Sequence, residues 1–352
     1  MREISLKKLT LLAIGIFIVL GIIFWTGWKD IKIVLLKANI GWLFLLLISQ
    51  VITLLLVAYR WHYLVCKLCN NISFLKTFNI FLAGNFVESV TPSSKFGGEA
   101  VRIYLFRKHT SLPYRKLTAI VLLEKYFSLV PFGMICVIFL VWSLFNMRLP
   151  KELYFALPVL VLLIVFLIRF YKSSGKLKDT DKEYKMDMAV DISYNTEKED
   201  KKNKGFLKRF LIKIKNIKSF VVYSAYYSRE IISIKEQLML FLLSLLIWAV
   251  YPLEVYIIVI MLDIDIDLFL TLSIAYIAYL ISMIPLLPGG LGSFEVSMAA
   301  MFDMVNASFA EGVSVALFTR LVTYWFPLIL SALATFYIAY SYKNKKDFNR
   351  FK

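Results

Sequence analysis

Apolar residues in this chain run in long unbroken blocks: Leu9–Trp28, Ile40–Ala58, Leu117–Phe145, Leu153–Ile168, Leu238–Leu262 and Val313–Tyr340. Each approaches or exceeds the roughly 20 residues that carry a helix across about 30 Å of hydrocarbon. In lipid the backbone must satisfy its own hydrogen-bonding groups, so the blocks are predicted to be helices. The short alternating segments of barrel strands are not seen. Leu9–Trp28 follows Arg2, Lys7 and Lys8, but it is longer than a secretory signal core and no small-x-small cleavage site closes it. It reads as a retained first span.

Composition fits this pattern. Hydrophobic residues make up 60% of the chain, against about 45–50% in soluble domains. The net charge of +17 is concentrated in the N-terminus, Arg60–Lys76, Lys95–Lys116, Lys172–Lys235 and the tail Lys343–Lys352. The positive-inside rule assigns all of these to the cytoplasm, and Asp263, Asp265, Asp267, Asp303 and Glu311 to the outside. Both termini are then cytoplasmic in a multi-pass protein of the cell membrane. The basic charge is topological and favours anionic lipid headgroups, so no nucleic-acid partner is needed to explain it.

Assigning sides this way leaves two apolar segments that enter the membrane without crossing it. Phe74–Val90 is followed by the basic stretch Lys95–Lys116, so it must turn near Thr91–Gly98 and return along Glu99–Lys108. Leu268–Leu287 enters from the opposite side, turns at Pro288–Gly292 and leaves along Ser293–Met304. The predicted fold is an all-α polytopic integral membrane helix bundle of about six full spans and two re-entrant hairpins, at about 74–108 and 268–304. Residues 1–171 and 236–342 form its two membrane halves, and 343–352 a basic tail. Between the halves, 172–205 is charged and poor in apolar residues, the composition of a disordered segment. The stretch 206–223 carries Leu207, Phe210, Leu211, Ile214, Ile217 and Val221 at helical spacing beside a lysine-rich face. It reads equally as an amphipathic helix on the anionic leaflet surface or as an elbow connecting the halves.

The hairpins repeat. Pro92 and Pro288, Glu99 and Glu295, and Pro131 and Pro327 are each 196 positions apart (288 − 92, 295 − 99, 327 − 131), and at that offset Glu124 meets Arg320. The charges place the hairpins on opposite sides, so the repeat is inverted. In secondary transporters, paired interrupted segments of this kind mark the binding site.

Ionisable residues inside a membrane are costly and mark function. Here they are Glu88, Glu99, Arg102, Glu124, Lys125, Glu254, Glu295 and Arg320. At each hairpin turn a proline ends the incoming helix and glycines open backbone shapes closed to other residues. The turn residues are Pro92, Gly97 and Gly98 in the first hairpin, and Pro288, Gly289, Gly290 and Gly292 in the second. The outgoing helices would aim free N–H groups at the interior, an anion site fit for a lipid phosphate, with Lys95, Arg102 and Arg320 adding full charge. Glu99 and Glu295, each in a first helical turn, also fit plain capping roles. Arg320 needs an acidic partner, for which Glu295, Glu254 and Glu124 are the candidates. Glu124 and Lys125 lie about 100° apart on their helix and should face different partners.

Other chemistry finds little support. Cys66 and Cys69 form a lone C-x-x-C, and with only His62 and His109 elsewhere no metal site is expected. Neither a catalytic triad nor a phosphate-binding G-x-x-x-x-G-K-[ST] is present, so a non-enzyme without cofactors is expected. Trp25, Trp28, Trp42, Trp61 and Trp142 fall near span ends, as interface belts do, while Trp248 and Trp325 lie further inside.

Asn85–Arg102 (NFVESVTPSSKFGGEAVR), Pro288–Glu295 (PGGLGSFE) and Arg320–Pro327 (RLVTYWFP) together resemble the flippase-like membrane domain of lysylphosphatidylglycerol synthases, over roughly residues 5–342. The resemblance implies movement of an aminoacylated phospholipid or polyprenyl-linked glycan between leaflets. It also implies functional roles for Pro92, Gly98, Glu99, Arg102, Pro288, Gly289, Gly290, Gly292, Glu295 and Arg320. A stand-alone member without the aminoacyl-transferring domain is expected, so lysyl transfer is not carried over, and Lys125 stands where the family usually has arginine. The expected function is translocation of a phospholipid or polyprenyl-linked lipid. The alternatives are a membrane-embedded lipid- or glycan-modifying enzyme, a scaffold for a separate synthase or glycosyltransferase, and a transporter of small soluble anions.

Overall fold

The computed structural model describes residue 36 and residues 39–69, 72–91, 96–110, 112–147, 155–174, 231–284 and 288–350. Leu9–Trp28, the stretch 206–223, Pro92 and Lys95 lie outside the described residues. The described chain is helical: α1 (Ile40–Cys66), α2 (Phe74–Val90), α3 (Phe96–Thr110), α4 (Tyr114–Asn146), α5 (Ala156–Ser174), α6 (Ile234–Met261), α7 (Leu268–Ser282), α8 (Ser293–Asp303), α9 (Phe309–Arg320) and α10 (Phe326–Arg350). A wide turn over Leu321–Trp325 joins α9 to α10.

Helix length separates crossing helices from hairpins. α1, α4, α6 and the continuous Phe309–Ile338 segment have 27, 33, 28 and 30 residues, ample for the hydrocarbon. The helices α2, α3, α7 and α8 have 17, 15, 15 and 11 residues. At 1.5 Å per residue they reach only about 17–26 Å, so neither pair crosses and returns; each forms a short hairpin. Outward-facing Ile40, Phe44, Ile48, Ile52, Leu55 and Tyr59 line one face of α1, a stripe suited to a lipid environment.

The hairpins open at opposite ends of the bundle. At the end where α1 finishes, Tyr63 donates to the Glu236 carboxylate at 2.6 Å and Lys67 is ion-paired with Glu236, which places the start of α6 there. The hydrogen bond to Glu236 holds Lys67, just beyond α1, above the ordinary lysine range. His62 and Thr77 lie 3.1 Å apart, so the α2–α3 hairpin opens at this proximal end. α6 then runs to the distal end, and α7 starts within a short loop of its finish. Trp142, near the end of α4, lies beside Phe269 at the start of α7 with ring centroids 6.0 Å apart. The α7–α8 hairpin therefore opens distally. In a variant lacking Cys66, Cys69 and Cys136, single cysteines at Thr110 and Asp303 should react with an impermeant thiol reagent from opposite sides of sealed vesicles. Labelling of both from one side would contradict this arrangement.

Each end has its own apolar core. The proximal one gathers Leu54, Trp61, Leu64, Ile80, Phe106 and Leu123 around the first hairpin. The distal one gathers Phe132, Val255, Ile274, Phe294, Met298 and Val315 around the second. Trp248 braces the bundle between them. Pro252 has no N–H for the Trp248 carbonyl one turn earlier, and the Tyr276 hydroxyl donates to that carbonyl instead at 3.1 Å. The Trp248 indole in turn donates to Ser128 O at 2.8 Å, in the α4 turn disturbed by Pro131.

Candidate functional site

The first charge cluster sits behind the first hairpin tip. Gly98 brings α3 against α2 so closely that a Cβ there would stand 2.6 Å from Gly84 O, and Gly84 in turn leaves room for the Arg102 side chain. Arg102 donates to Glu99 Oε1 at 2.8 Å, to Asn85 Oδ1 at 2.5 Å and to Glu88 Oε2 at 3.3 Å. Its guanidinium lies over Phe81 and Trp61, 5.0 and 5.5 Å from the ring centroids. Lys125 reaches the same Glu99 Oε1 at 2.5 Å and stands 3.4 Å from Glu124 Oε2. Although adjacent residues on a helix face different directions, Lys125 and Glu124 belong to one network. The long lysine stem reaches across the helix surface that separates their Cβ atoms.

Glu124 accepts from Arg60 Nη2 at 2.5 Å, and Arg60 Nη1 donates to the Ser244 hydroxyl at 2.7 Å. Arg60, Arg102 and Lys125 thus balance Glu88, Glu99 and Glu124, three charges of each sign. That balance makes burial tolerable, since paired charges escape most of the penalty of an isolated one. Arg60 was not among the sequence candidates, because it follows the apolar block Ile40–Ala58 and reads as the first basic residue of a loop. In the structure α1 continues to Cys66 and carries Arg60 inside.

The second cluster holds the second hairpin turn together. Gly289, Gly290 and Gly292 all have positive φ (62°, 66° and 82°), which explains the P-G-G-x-G spacing. Glu295 Oε2 accepts from the Gly292 N–H at 2.6 Å, so it caps α8. Its Oε1 accepts from Arg320 Nε at 3.1 Å, while Arg320 Nη2 donates to Gly290 O at 2.7 Å. The guanidinium lies 4.3 Å from the Phe294 ring centroid. Arg320 is therefore a clasp across the turn, and of its three candidate acidic partners Glu295 is the one it engages. Glu254 lies apart, buried on α6.

The two tips meet at one side chain. Tyr324, one turn past Arg320, donates to Ser89 O at the end of α2 at 3.0 Å, and its ring packs against Gly289. It projects from the wide turn Leu321–Trp325, in which Phe326 N–H bonds to Leu321 O just before Pro327. Such widened turns are frequent at functional sites. The clusters also repeat in design. A first-turn glutamate on each outgoing hairpin helix pairs with a cation on the following long helix, Glu99 with Lys125 and Glu295 with Arg320. The separations differ by one residue (125 − 99 against 320 − 295). Sequence comparison at the strict 196 offset aligned Arg320 with Glu124 and so missed this correspondence.

Among the described residues no group of three or more His, Cys, Asp or Glu side chains is arranged to hold a metal. The family model for the lysylphosphatidylglycerol synthase TM region matches residues 12–331. A UPF0104 membrane protein of Pyrococcus horikoshii is 25% identical over 335 residues, covering 93% of this chain and 96% of the relative. Another from Archaeoglobus fulgidus is 28% identical over 324 residues, covering 88% and 89%, and one from Methanocaldococcus jannaschii is 24% identical over 357, covering 98% and 99%. No solved structure matches significantly.

Proposed function

Because the chain belongs to the family of lysylphosphatidylglycerol synthase membrane regions, we propose that it moves a phosphate-bearing lipid between leaflets. The observation that carries this reading is the meeting of two oppositely opening hairpin tips at Tyr324, with a buried ion pair behind each, Arg102–Glu99 and Arg320–Glu295. A headgroup crossing the bilayer needs polar partners at mid-depth, and paired interrupted helices supply them in transporters. The acyl or prenyl chains would stay in lipid while the headgroup passed between the halves.

The cations differ in availability. Side-chain exposure is 2% for Arg60, 3% for Arg102, 8% for Arg320 and 29% for Lys125. Lys125 is thus the cation best placed to exchange Glu99 for a phosphate, acting as a point charge, while Arg320 holds the turn in shape. Glu88, 22% exposed, offers a carboxylate near the same opening. The proximal end is the cytoplasmic one in this reading. Lys67, Arg107, Lys108, Arg115 and Lys116 gather there, against Asp263, Asp265, Asp267, Asp303 and Glu311 at the distal end.

Reconstituted in liposomes, the protein should accelerate inter-leaflet movement of headgroup-labelled phospholipid or polyprenyl phosphate, and Lys125→Gln should slow it at least tenfold. Tenfold corresponds to about 1.4 kcal/mol of lost barrier stabilisation. No movement of either lipid by correctly inserted wild-type protein would sink the proposal.

A further inference from the structure

The clusters at the hairpin tips account for eight ionisable side chains in the middle of the described bundle, four of each sign, and each cluster is neutral. Glu254 is a ninth, and no ion pair among the described residues balances it. It is 1% exposed, and neither carboxylate oxygen makes a hydrogen bond of ordinary geometry among the described residues. The Ser49 hydroxyl of α1 faces it without closing such a bond.

Among the described residues, the helices packed against α6 bring no spare cation. Arg60 from α1 is bound to Glu124, Lys125 from α4 to Glu99 and Arg320 from α9 to Glu295. α7 contributes Tyr276 and Tyr279 and no charged residue. The apolar block Leu9–Trp28 contains no basic residue either. Tyr251 and Tyr279 flank Glu254, and the Tyr279 hydroxyl is buried without a hydrogen bond of ordinary geometry. A carboxylate removed from water with no counter-charge, and with the Ser49 hydroxyl not closing an ordinary bond to it, takes up a proton instead.

A chain of aromatic rings connects the surroundings of Glu254 to the second hairpin's clasp. The Tyr251 and Tyr279 ring centroids are 6.0 Å apart. Tyr279 lies 5.1 Å from Phe294, the ring that carries the Arg320 guanidinium. The Tyr279 and Phe294 rings thus link the surroundings of Glu254 to the ring that carries Arg320, and a negative charge appearing at Glu254 would be felt at the clasp through this low-dielectric packing. Pro252, two residues before Glu254, removes a backbone hydrogen bond from the same stretch of α6, a place where the helix can bend and admit water.

We propose that Glu254 is a proton-binding site, loaded in this conformation and emptied when the two halves move, whose proton couples lipid movement to a proton gradient. The coupling rests on the translocase reading; the proton site does not. Two measurements keep them separate.

In proteoliposomes with the membrane potential clamped, a gradient of one pH unit, about tenfold in proton activity, should speed lipid movement several-fold in the wild type. It should not do so in Glu254→Gln, which keeps the shape and neutrality of the protonated acid. Equal wild-type rates with and without the gradient would overturn the coupling, as would a gradient response retained by Glu254→Gln or one driven by sodium instead. Infrared difference spectra of the purified protein should show a protonated-carboxyl stretch at neutral pH that disappears in Glu254→Gln. Its absence would overturn the proton site even if lipid moves. Its presence in a protein that moves no lipid would uphold the site and reject the translocase.

Discussion

Arg60→Ala should destabilise the protein by about 3–5 kcal/mol, the usual consequence of removing one partner from a buried ion pair. The pair is well shielded, with side-chain exposures of 2% for Arg60 and 5% for Glu124. Loss of the guanidinium leaves Glu124 buried with Lys125 at 3.4 Å as its remaining cation. Ser244 suffers less, because its hydroxyl still donates to Leu240 O at 2.7 Å. The damage should therefore trace to the stranded carboxylate. Arg60→Met combined with Glu124→Leu tests that attribution, since replacing both charges with apolar groups of similar volume is often neutral or better. Denaturant unfolding in detergent micelles reads both variants. A loss below about 1 kcal/mol in Arg60→Ala would mean that Lys125 or water replaces the arginine, and failure of the double variant to recover would place the cost in packing.

Gly289→Ala should be comparably severe, for steric reasons. A residue with a Cβ at φ 62° meets the left-handed penalty of about 1–2 kcal/mol. The added Cβ would also collide with the Tyr324 ring, and overpacking of that kind typically costs about 1–3 kcal/mol more. The expected total is about 2–5 kcal/mol, with loss of the Tyr324–Ser89 link between the tips. Tyr324→Ala should relieve part of the damage in the Gly289→Ala background. It should relieve none in Gly290→Ala, whose Cβ meets the Ser282 carbonyl oxygen at 2.6 Å instead. A double-mutant cycle isolates the difference. Equal rescue of both glycine variants would show that Tyr324 does not couple the tips through Gly289.

Much of this arrangement could be read from the sequence. The clustered prolines and glycines at the two tips end the helices that enter them, whereas the single Pro131 and Pro252 stay inside α4 and α6. The limits of α2 and the segments Leu268–Ser282 and Ser293–Asp303 therefore follow the predicted hairpins closely. The predicted opposition of the hairpins came from charge alone; in the structure it rests on Tyr63, His62 and Trp142. What escaped was what depends on three dimensions. Arg60 was hidden because an apolar block can end before its helix does, and hydropathy cannot tell a buried arginine from a loop arginine. Tyr324 carried one readable signal, an aromatic residue four positions after an intramembrane arginine, but its bond to Ser89 spans 235 positions. Glu254 reads as one more partner for Arg320, and only the geometry gives that place to Glu295.

The first charge cluster also bears on biogenesis. Its members come from α1, α2, α3 and α4, and Arg60 and Glu124 are 64 positions apart. A nascent chain that has released α1 into lipid therefore holds Arg60 without its partner until α4 has been synthesised, over seconds at ordinary translation rates. α3, with Glu99 and Arg102 among its 15 residues, is too short and too polar to settle in lipid unaided. The proximal end is thus assembled as a late, concerted event in which α4 arrives, charges are matched and the hairpin docks. Until then, the Arg60 side chain has to reach interfacial water near the end of α1 or be shielded by other protein.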